Sequence, residues 1–304
     1  MSGIVVVGSL NMDLVVKVPH LPAVGETVLG GEFATFPGGK GANQAVAAAR
    51  LGAEVAMVGR VGDDAFGRAL RDGLAADGVD VRHVLADPSA HTGVAFILVD
   101  AAGRNAIAVA SGANMRLSPD DVAAAAEALA GARAVLLQLE VPLECVARAA
   151  ALARESGALV ILDPAPAVPL PASLIRLVDV IAPNEQETEV LTGIGVRSLP
   201  DAARAADALR VRGARAAVIK LGGRGAWVSA PEGERHLPAL AVTPVDTTAA
   251  GDAFCGALGA ALAEGQNLLA AARFANAAAG LSVTRMGAQP SMPRRAEVEG
   301  VLSG

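Results

Sequence analysis

Short apolar runs alternate with helix-patterned segments along most of this chain, and that alternation limits the possible folds more than any other feature. Ile4-Val5-Val6-Val7 is closed by Gly8, and runs of the same kind follow at 55–58, 135–137, 159–162, 180–182 and 217–221. A strand that is apolar on successive residues hides both faces, as the central strands of a parallel sheet do. Helical patterns lie between most of them, at 41–51, 64–77, 118–130, 142–156 and 201–212. Strand and helix in repeated succession predict an α/β fold with a doubly wound, mainly parallel sheet flanked by helices. The chain has 304 residues, no linker rich in Pro, Gly or Ser and no repeat of fixed period, so one domain over 1–304 is expected.

Two stretches break the rhythm. Residues 13–36 and 92–110 read as extended chain, and Asp100-Ala101-Ala102-Gly103-Arg104 turns the second into a hairpin. In Val94-Ala95-Phe96-Ile97-Leu98-Val99 both faces are apolar, which a ribbon facing solvent would not tolerate. The pattern fits a small sheet that covers something on one side and meets a partner on the other. It fits equally an antiparallel extension packed on its own domain.

Composition narrows the function. The hydrophobic fraction of 53% is ample for a core, although much of it is alanine and aromatic residues supply only 2%. A net charge of −6 offers no basic footprint for nucleic acid or an anionic membrane. No apolar run approaches the ~20 residues that span a bilayer. The start, Met1 to Val7, lacks a basic region and breaks at Gly8, so it reads as a strand rather than a signal peptide. Cys145 and Cys255 stand in apolar helical contexts with no His nearby, as buried thiols of a reducing compartment do. A cytoplasmic protein is expected. His20, His83, His91 and His236 show no triad or ligand spacing and read as surface residues.

In an open α/β sheet, ligands bind beyond the carboxyl ends of the strands. The loops there carry the unusual polar residues. Asn11 and Asp13 follow the first run, and Pro37-Gly38-Gly39-Lys40-Gly41-Ala42-Asn43 precedes the first long helix. Glu140, then Pro183-Asn184-Glu185-Gln186-Glu187, then Gly222-Gly223-Arg224-Gly225 follow later runs. The most telling stretch is Val245-Asp246-Thr247-Thr248-Ala249-Ala250-Gly251-Asp252-Ala253-Phe254, where small residues lead into an Ala-rich segment free of Pro. That is a loop turning into a helix N-terminus, whose first N–H groups lack partners and suit a phosphate. Ala249, Ala250 and Gly251 lack bulk, so an anion can approach their backbone. Asp252 beside them has a carboxylate able to take a proton, an arrangement for phosphoryl transfer to a hydroxyl. The bland alternative for Asp252 is a favourable helix dipole, worth ~0.3–1 kcal/mol.

The other motifs leave more than one reading. Gly38–Gly41 is not a Walker A loop, because Gly follows Lys40 and position 34 is Ala; it is either a tight turn or a close approach to a small ligand. Gly8 is followed by Ser9-Leu10-Asn11, not by the glycine fingerprint of a dinucleotide-dependent dehydrogenase. Gly222–Gly225 leads into another strand at 226–229 and is a hairpin turn or a backbone cradle for phosphates. Asn184 and Glu187 fit a capping box, or Glu187 orders water around a Mg²⁺ carried by a triphosphate. Glu140 at a strand end needs a partner, and a sugar hydroxyl would serve. Asp246 either caps its loop or binds a monovalent cation.

Together these residues resemble the ribokinase-like, or phosphofructokinase-B, family of sugar kinases, from Gly8-Ser9-Leu10-Asn11-Met12-Asp13 to Gly287-Ala288-Gln289-Pro290-Ser291. The strongest marks are Gly38-Gly39-Lys40-Gly41-Ala42-Asn43-Gln44 and Asp246-Thr247-Thr248-Ala249-Ala250-Gly251-Asp252. The first, with Asn11, Asp13 and Glu140, is similar to the ribokinase branch. The resemblance implies that Asp252 is the base for a sugar's primary hydroxyl and that Ala249, Ala250 and Gly251 form the anion hole. It assigns Asn11, Asp13, Gly39, Lys40, Asn43 and Glu140 to ribose. It assigns Asn184, Glu187, Lys220, Leu221, Gly222, Gly223, Arg224, Gly225, Gly251 and Asn276 to ATP and Mg²⁺. Asp246 and Thr248, with Ser282, Arg285, Gly287 and Ser291, match a loop that holds an activating K⁺, mostly through carbonyls. Gly223 departs from the pattern, where Ser is expected, and bears on one phosphate contact. The expectation is ATP-dependent phosphorylation of ribose at its 5-hydroxyl, with Asp252 at an ordinary pKa. Stretches 13–36 and 92–110 would supply a small β-sheet lid that also pairs two copies. Another sugar or a nucleoside as acceptor, or a catalytically silent binding protein, are the rival expectations.

Overall fold

The computed structural model describes residues 3–303, so Met1 and Ser2 lie outside the described residues. Among the described residues, thirteen strands form two sheets. In chain order they are β1 (Ile4–Val7), β2 (Asn11–Lys17), β3 (Phe33–Gly38), β4 (Val55–Gly62), β5 (Asp80–Asp87), β6 (Gly93–Val99), β7 (Asn105–Ala110), β8 (Ala134–Leu137), β9 (Leu159–Leu162), β10 (Val180–Ile181), β11 (Ala216–Lys220), β12 (Ala226–Ala230) and β13 (Gly233–Leu237). The main sheet runs β13-β12-β11-β10-β9-β8-β1-β4-β5. It is parallel except for the antiparallel hairpin β12–β13 at one edge and its pairing with β11.

The helices are α1 (Lys40–Arg50), α2 (Ala65–Ala76), α3 (Pro119–Ala124), α4 (Ala126–Ala130), α5 (Leu143–Ser156), α6 (Ala172–Ile175), α7 (Glu185–Thr192), α8 (Leu199–Val211), α9 (Ala250–Ala263), α10 (Leu268–Ser282) and α11 (Arg295–Ser303). The strand period of two divides the core between the sheet's faces. Ile4, Val6, Met57 and Leu136 pack with α1, α9 and α10, whereas Val5, Val7, Val58 and Leu137 pack with α5 and α8. The scarcity of aromatics is met by close approach. A Cβ on Gly256 of α9 would lie 2.6 Å from the Ala47 Cβ of α1, and one on Gly259 would lie 2.7 Å from Leu136.

Several expectations need adjustment. Stretch 13–36 is not continuously extended: the chain between β2 and β3 is irregular and largely exposed, because Pro19 and Pro22 lack amide donors and Gly25, Gly30 and Gly31 interrupt the rest of the connection. The helix expected over 118–130 is interrupted at Ala125. The edge strands β5 and β13 have no apolar run to announce them, since charged residues line both.

The irregular stretches pair with each other in a second sheet, β3-β2-β6-β7, and not with the main one. Its β2 and β6 are parallel, flanked by antiparallel partners. The chain enters it directly from β1 through Gly8-Ser9-Leu10. Strand order in the main sheet reverses beside β1, which lies between β8 and β4. The carboxyl ends of β1, β8, β9, β10 and β11 therefore border one crevice, the position where an open α/β sheet binds ligands.

Candidate active site

Asp252 is the third residue of α9 and only 5% exposed. A buried carboxylate is costly unless donors surround it. Here Asn43 Nδ2 donates to Oδ2 at 2.9 Å and Gln44 Nε2 reaches Oδ1 at 3.4 Å, both from the first turns of α1. Burial pushes the Asp252 pKa up to about 6; Lys40 opposes the rise and Asp163 adds to it. This corrects the expectation of an ordinary pKa. Asp252 is a better base than a free carboxylate and still ionised at neutral pH.

The loop before α9 ends at Ala249, which holds a left-handed φ of 57°. An L-residue there sacrifices about 1–2 kcal/mol, so the surrounding loop must enforce the conformation. The Ala250 N–H turns back to the Thr247 carbonyl at 3.3 Å. Among the described residues the amides of Gly251 and Asp252 have no acceptor, which leaves the helix end open to an anion. A Cβ on Gly251 would stand 3.3 Å from Lys220 Nζ, so an ammonium lies against the same helix end.

Lys220 closes β11 and its Nζ is 2.7 Å from Asp163 Oδ1, at the end of β9. Burial works against the charge of Lys220, but Asp163, Cys255 and Glu187 together hold the ammonium above its ordinary pKa. Gln44 ties this pair to Asp252: its Nε2 also donates to Asp163 Oδ2 at 3.0 Å, and its Oε1 accepts from Gln138 Nε2 at 2.7 Å. Asp163, Gln44 and Gln138 were not among the residues expected from sequence. The signal that flagged Glu140, an acid just beyond an apolar run, also marks Asp163 after β9, and Gln44 adjoins Asn43 in the glycine-rich motif.

On the other side of Asp252, Asn11 and Asp13 sit two apart on β2 and so share a face. Burial, followed by the charges of Glu140 and Asp252, raises Asp13 to about 7. Glu140 Oε2 accepts from Ser9 Oγ at 2.5 Å and from the Lys40 amide at 3.1 Å, so its first partners are protein groups. Burial disfavours the Lys40 ammonium, but Asp252, Asp163 and Glu140 together keep its pKa above the usual value. The glycines explain the convergence. A Cβ on Gly38 would lie 2.4 Å from the Asp13 carboxylate, and one on Gly41 2.7 Å from the backbone of Gly8 and Ser9. Gly39, with φ +89°, would meet the Asn11 amide at 2.6 Å. The motif is thus more than a tight turn: it seats the N-terminus of α1 on the bend between β1 and β2.

Beyond Lys220 and Gly251 opens a mostly apolar cavity of about 500 Å³, lined among others by Gly222, Gly223, Gly225, Leu240 and Asn276. Gly222–Arg224 is a single tight turn joining β11 to β12, so it is the hairpin turn and also part of the cavity wall. Two neighbours turn elsewhere. Leu221 belongs to the core of the opposite face, and the Arg224 guanidinium is bound to Glu185 and to the carbonyl of Arg197. Nothing within 4 Å would meet a Cβ on Gly223, so the Ser expected there would have had open space. Asn276 donates to the Pro238 carbonyl at 2.6 Å.

Asn184 and Glu187 form a complete capping box at the start of α7, with Glu187 Oε2 accepting from the Asn184 amide at 2.7 Å and Glu187 N donating back at 2.9 Å. Glu187 is nonetheless buried, and that burial raises its pKa against the pull of Lys220. Asp246 caps its loop: Oδ1 accepts from the Thr248 amide at 2.9 Å and Oδ2 from the Gly287 amide at 2.8 Å. Burial would raise the Asp246 pKa, but the bonds from Thr248 and Gly287 outweigh it and lower it. The Ser282 and Ser291 hydroxyls donate to the carbonyls of Ala279 and Ala288, and the Arg285 guanidinium pairs with Glu297. Among the described residues no cluster of three or more His, Cys, Asp or Glu could hold a metal ion. No described helix is long and apolar enough to cross a membrane. His236 is half-buried against the Arg224 carbonyl rather than free on the surface.

Known proteins share this arrangement of chain. The model of the pfkB family carbohydrate kinases matches residues 1–295. The chain is 45% identical over 305 residues to a ribokinase from Bacillus subtilis, with 100% of each chain covered. It is 39% identical over 291 residues to a deoxyribokinase from Salmonella typhi, with 95% of each covered. Its structure is similar to that of Arabidopsis thaliana ribokinase complexed with ribose and ATP, at a TM-score of 0.92 and 35% identity, covering 100% of this chain and 99% of that one.

Proposed function

The chain belongs to the pfkB family of carbohydrate kinases, and from that membership we propose that it transfers the terminal phosphoryl group of ATP to the 5-hydroxyl of D-ribose, giving ribose 5-phosphate and ADP. One observation carries the reading: a buried carboxylate, Asp252, shares a helix end with unpartnered amides and faces sugar-type polar groups on one side and a nucleotide-sized cavity on the other. ATP occupies the cavity of about 500 Å³ with its phosphates toward Gly251, Asp252 and Lys220. Ribose lies among Asn11, Asp13, Gly39, Lys40, Asn43 and Glu140. The second sheet acts as a lid over it, excluding the water that competes for the phosphoryl group.

The transition state of such a transfer is loose, so the hydroxyl proton leaves late and the position of the base counts for more than its strength. Asn43 and Gln44 fix that position. The amides of Gly251 and Asp252 and the Lys220 ammonium meet negative charge as it shifts toward the leaving phosphate. The chain offers no cage of protein ligands for a divalent ion among the described residues, which suits Mg²⁺ carried by the phosphates with its own waters and only outer contacts to Glu187. Bound there, Mg²⁺ would neutralise charge on the phosphates of ATP. We place K⁺ at the loop that Asp246 and Gly287 close, held by Asp246, Thr248, Ser282, Arg285, Gly287 and Ser291, mostly through carbonyls. Activity should rise when K⁺ replaces Na⁺ or a bulky organic cation, and equal rates in all three salts would remove the ion from this role.

A second reading is favoured by the likeness to a deoxyribokinase: the same chemistry on another sugar or on a nucleoside. An ATP-dependent assay over pentoses, deoxypentoses, hexoses and nucleosides separates the two. Ribose should give the highest kcat/KM; turnover of adenosine or fructose without ribose would reassign the acceptor, and turnover of none would indicate a binding protein. We further place the protein in the cytoplasm, since both of its cysteines are free and buried. We assign it as a homodimer that pairs through the lid sheet.

A further inference from the structure

Asn114 lies in the tight turn Gly112–Arg116 that follows β7, far in sequence from every residue assigned above, and is 1% exposed. Its amide has only one possible orientation. The Leu10 N–H, which can only donate, lies 2.9 Å from Asn114 Oδ1, and the Leu10 carbonyl, which can only accept, lies 3.1 Å from Nδ2. With Asn114 so fixed, its remaining Nδ2 proton points at the Asn11 side chain, 2.7 Å away, and the Asn11 atom there must be Oδ1. The pair fits under β6 only because residue 93 is Gly: a Cβ there would stand 2.1 Å from Asn11 Oδ1 and 2.3 Å from Asn114 Nδ2.

Two backbone groups thereby dictate, through Asn114, which end of the Asn11 amide is left over. That end is Nδ2, a donor, and it has no acceptor among the described residues. Asp13, two residues on along the same face of β2, supplies a carboxylate. A fixed donor beside an acceptor complements two adjacent hydroxyls, one accepting through its oxygen and the other donating its proton. We propose that Asn114 is a positioning residue that sets acceptor specificity: by holding Asn11 as a donor it makes the site select a sugar with a vicinal diol over the deoxy analogue. The inference rests on the sugar-kinase reading above. A site built to hydrogen-bond a hydroxyl rejects the analogue that lacks it, because its own polar group is then left unpaired.

The test uses initial rates of the full chain with D-ribose, 2-deoxy-D-ribose and 3-deoxy-D-ribose at saturating ATP. In Asn114→Asp the new carboxylate still accepts from Leu10 N–H but has no proton for Asn11, whose amide turns over and presents Oδ1 to the sugar. KM for ribose should rise about tenfold, with kcat and the KM for ATP within about threefold of wild type. The preference for ribose over at least one deoxy sugar should fall by the same factor. Asn11→Asp provides a second variant that keeps the bond from Asn114 while replacing the free donor by an acceptor, and it should show the same collapse. If Asn114→Asp does not fold, Asn11→Asp decides alone. Preserved preference in either folded variant, where wild type prefers ribose, overturns this inference and leaves the kinase reading intact. Wild-type protein that phosphorylates no sugar overturns both.

Discussion

Asp252 and Asp13 are carboxylates held near neutrality by enclosure, at about 6 and about 7, and each counts the other's charge or that of Glu140 against itself. A base works only when ionised, so kcat/KM for the sugar should be flat above pH 8 and fall as pH drops through the interval between those values. Asp13→Asn should leave a single limb near 6, and a limb near 4 in wild-type pH–rate profiles would contradict the burial. The positions of these acids were legible in the sequence, but their raised pKa values were not, because burial is set by the fold. Asp252 stands out because small residues precede it and an apolar helix follows, and Glu140 because a lone acid closes a strand. Gln44 and Asp163 carried the same marks as flagged residues without showing what they bind, and Asn114 carried none. Amides and acids of those types are common at helix starts and in loops, and only the fold brings Asn114 to Leu10 across 104 residues.

At the level of elements, the site depends on how closely α1 seats against the bend after β1. Gly41→Ala would drive a methyl group to 2.7 Å from the backbone of Gly8 and Ser9, with no flexible side chain to give way. A loss of about 1–3 kcal/mol in stability is expected, measured by chemical denaturation. A fall of at least tenfold in kcat should accompany it, because Asn43 and Gln44 move with the helix that carries them. Gly73→Ala in α2 is the control: its methyl group meets nothing within 4 Å, and it should stabilise by about 0.5–1 kcal/mol through helix propensity with activity unchanged. The central strands were plain in the sequence because burial on both faces leaves continuous apolar runs. Edge strands β5 and β13 were hidden because solvent on one side permits charges, which erase the pattern.

Considered as a whole, the molecule places its chemistry where strand order reverses beside β1 and lays a second sheet next to that crevice. The second sheet also explains an otherwise costly surface. Phe96 is 52% exposed, Ile107 56% and Val109 51%, all on β6 and β7. A second copy covering these residues would hide an apolar patch that monomers rarely display. Sedimentation at micromolar concentration should give a dimer for the wild type and a monomer for Phe96→Asp; a monomeric wild type would contradict the pairing. The sequence disclosed the two-faced apolar pattern of 94–99 but not that these strands form a sheet of their own, since pairing partners are set by tertiary contacts. The proposed mechanism makes phosphoryl transfer depend above all on Asp252, and single-turnover transfer from ATP to ribose by Asp252→Asn measures that dependence. The rate should drop by ~10²–10⁴ while the sugar's dissociation constant stays close to that of the wild type. A variant that transfers the phosphoryl group at the wild-type rate would show that the proton leaves by another route.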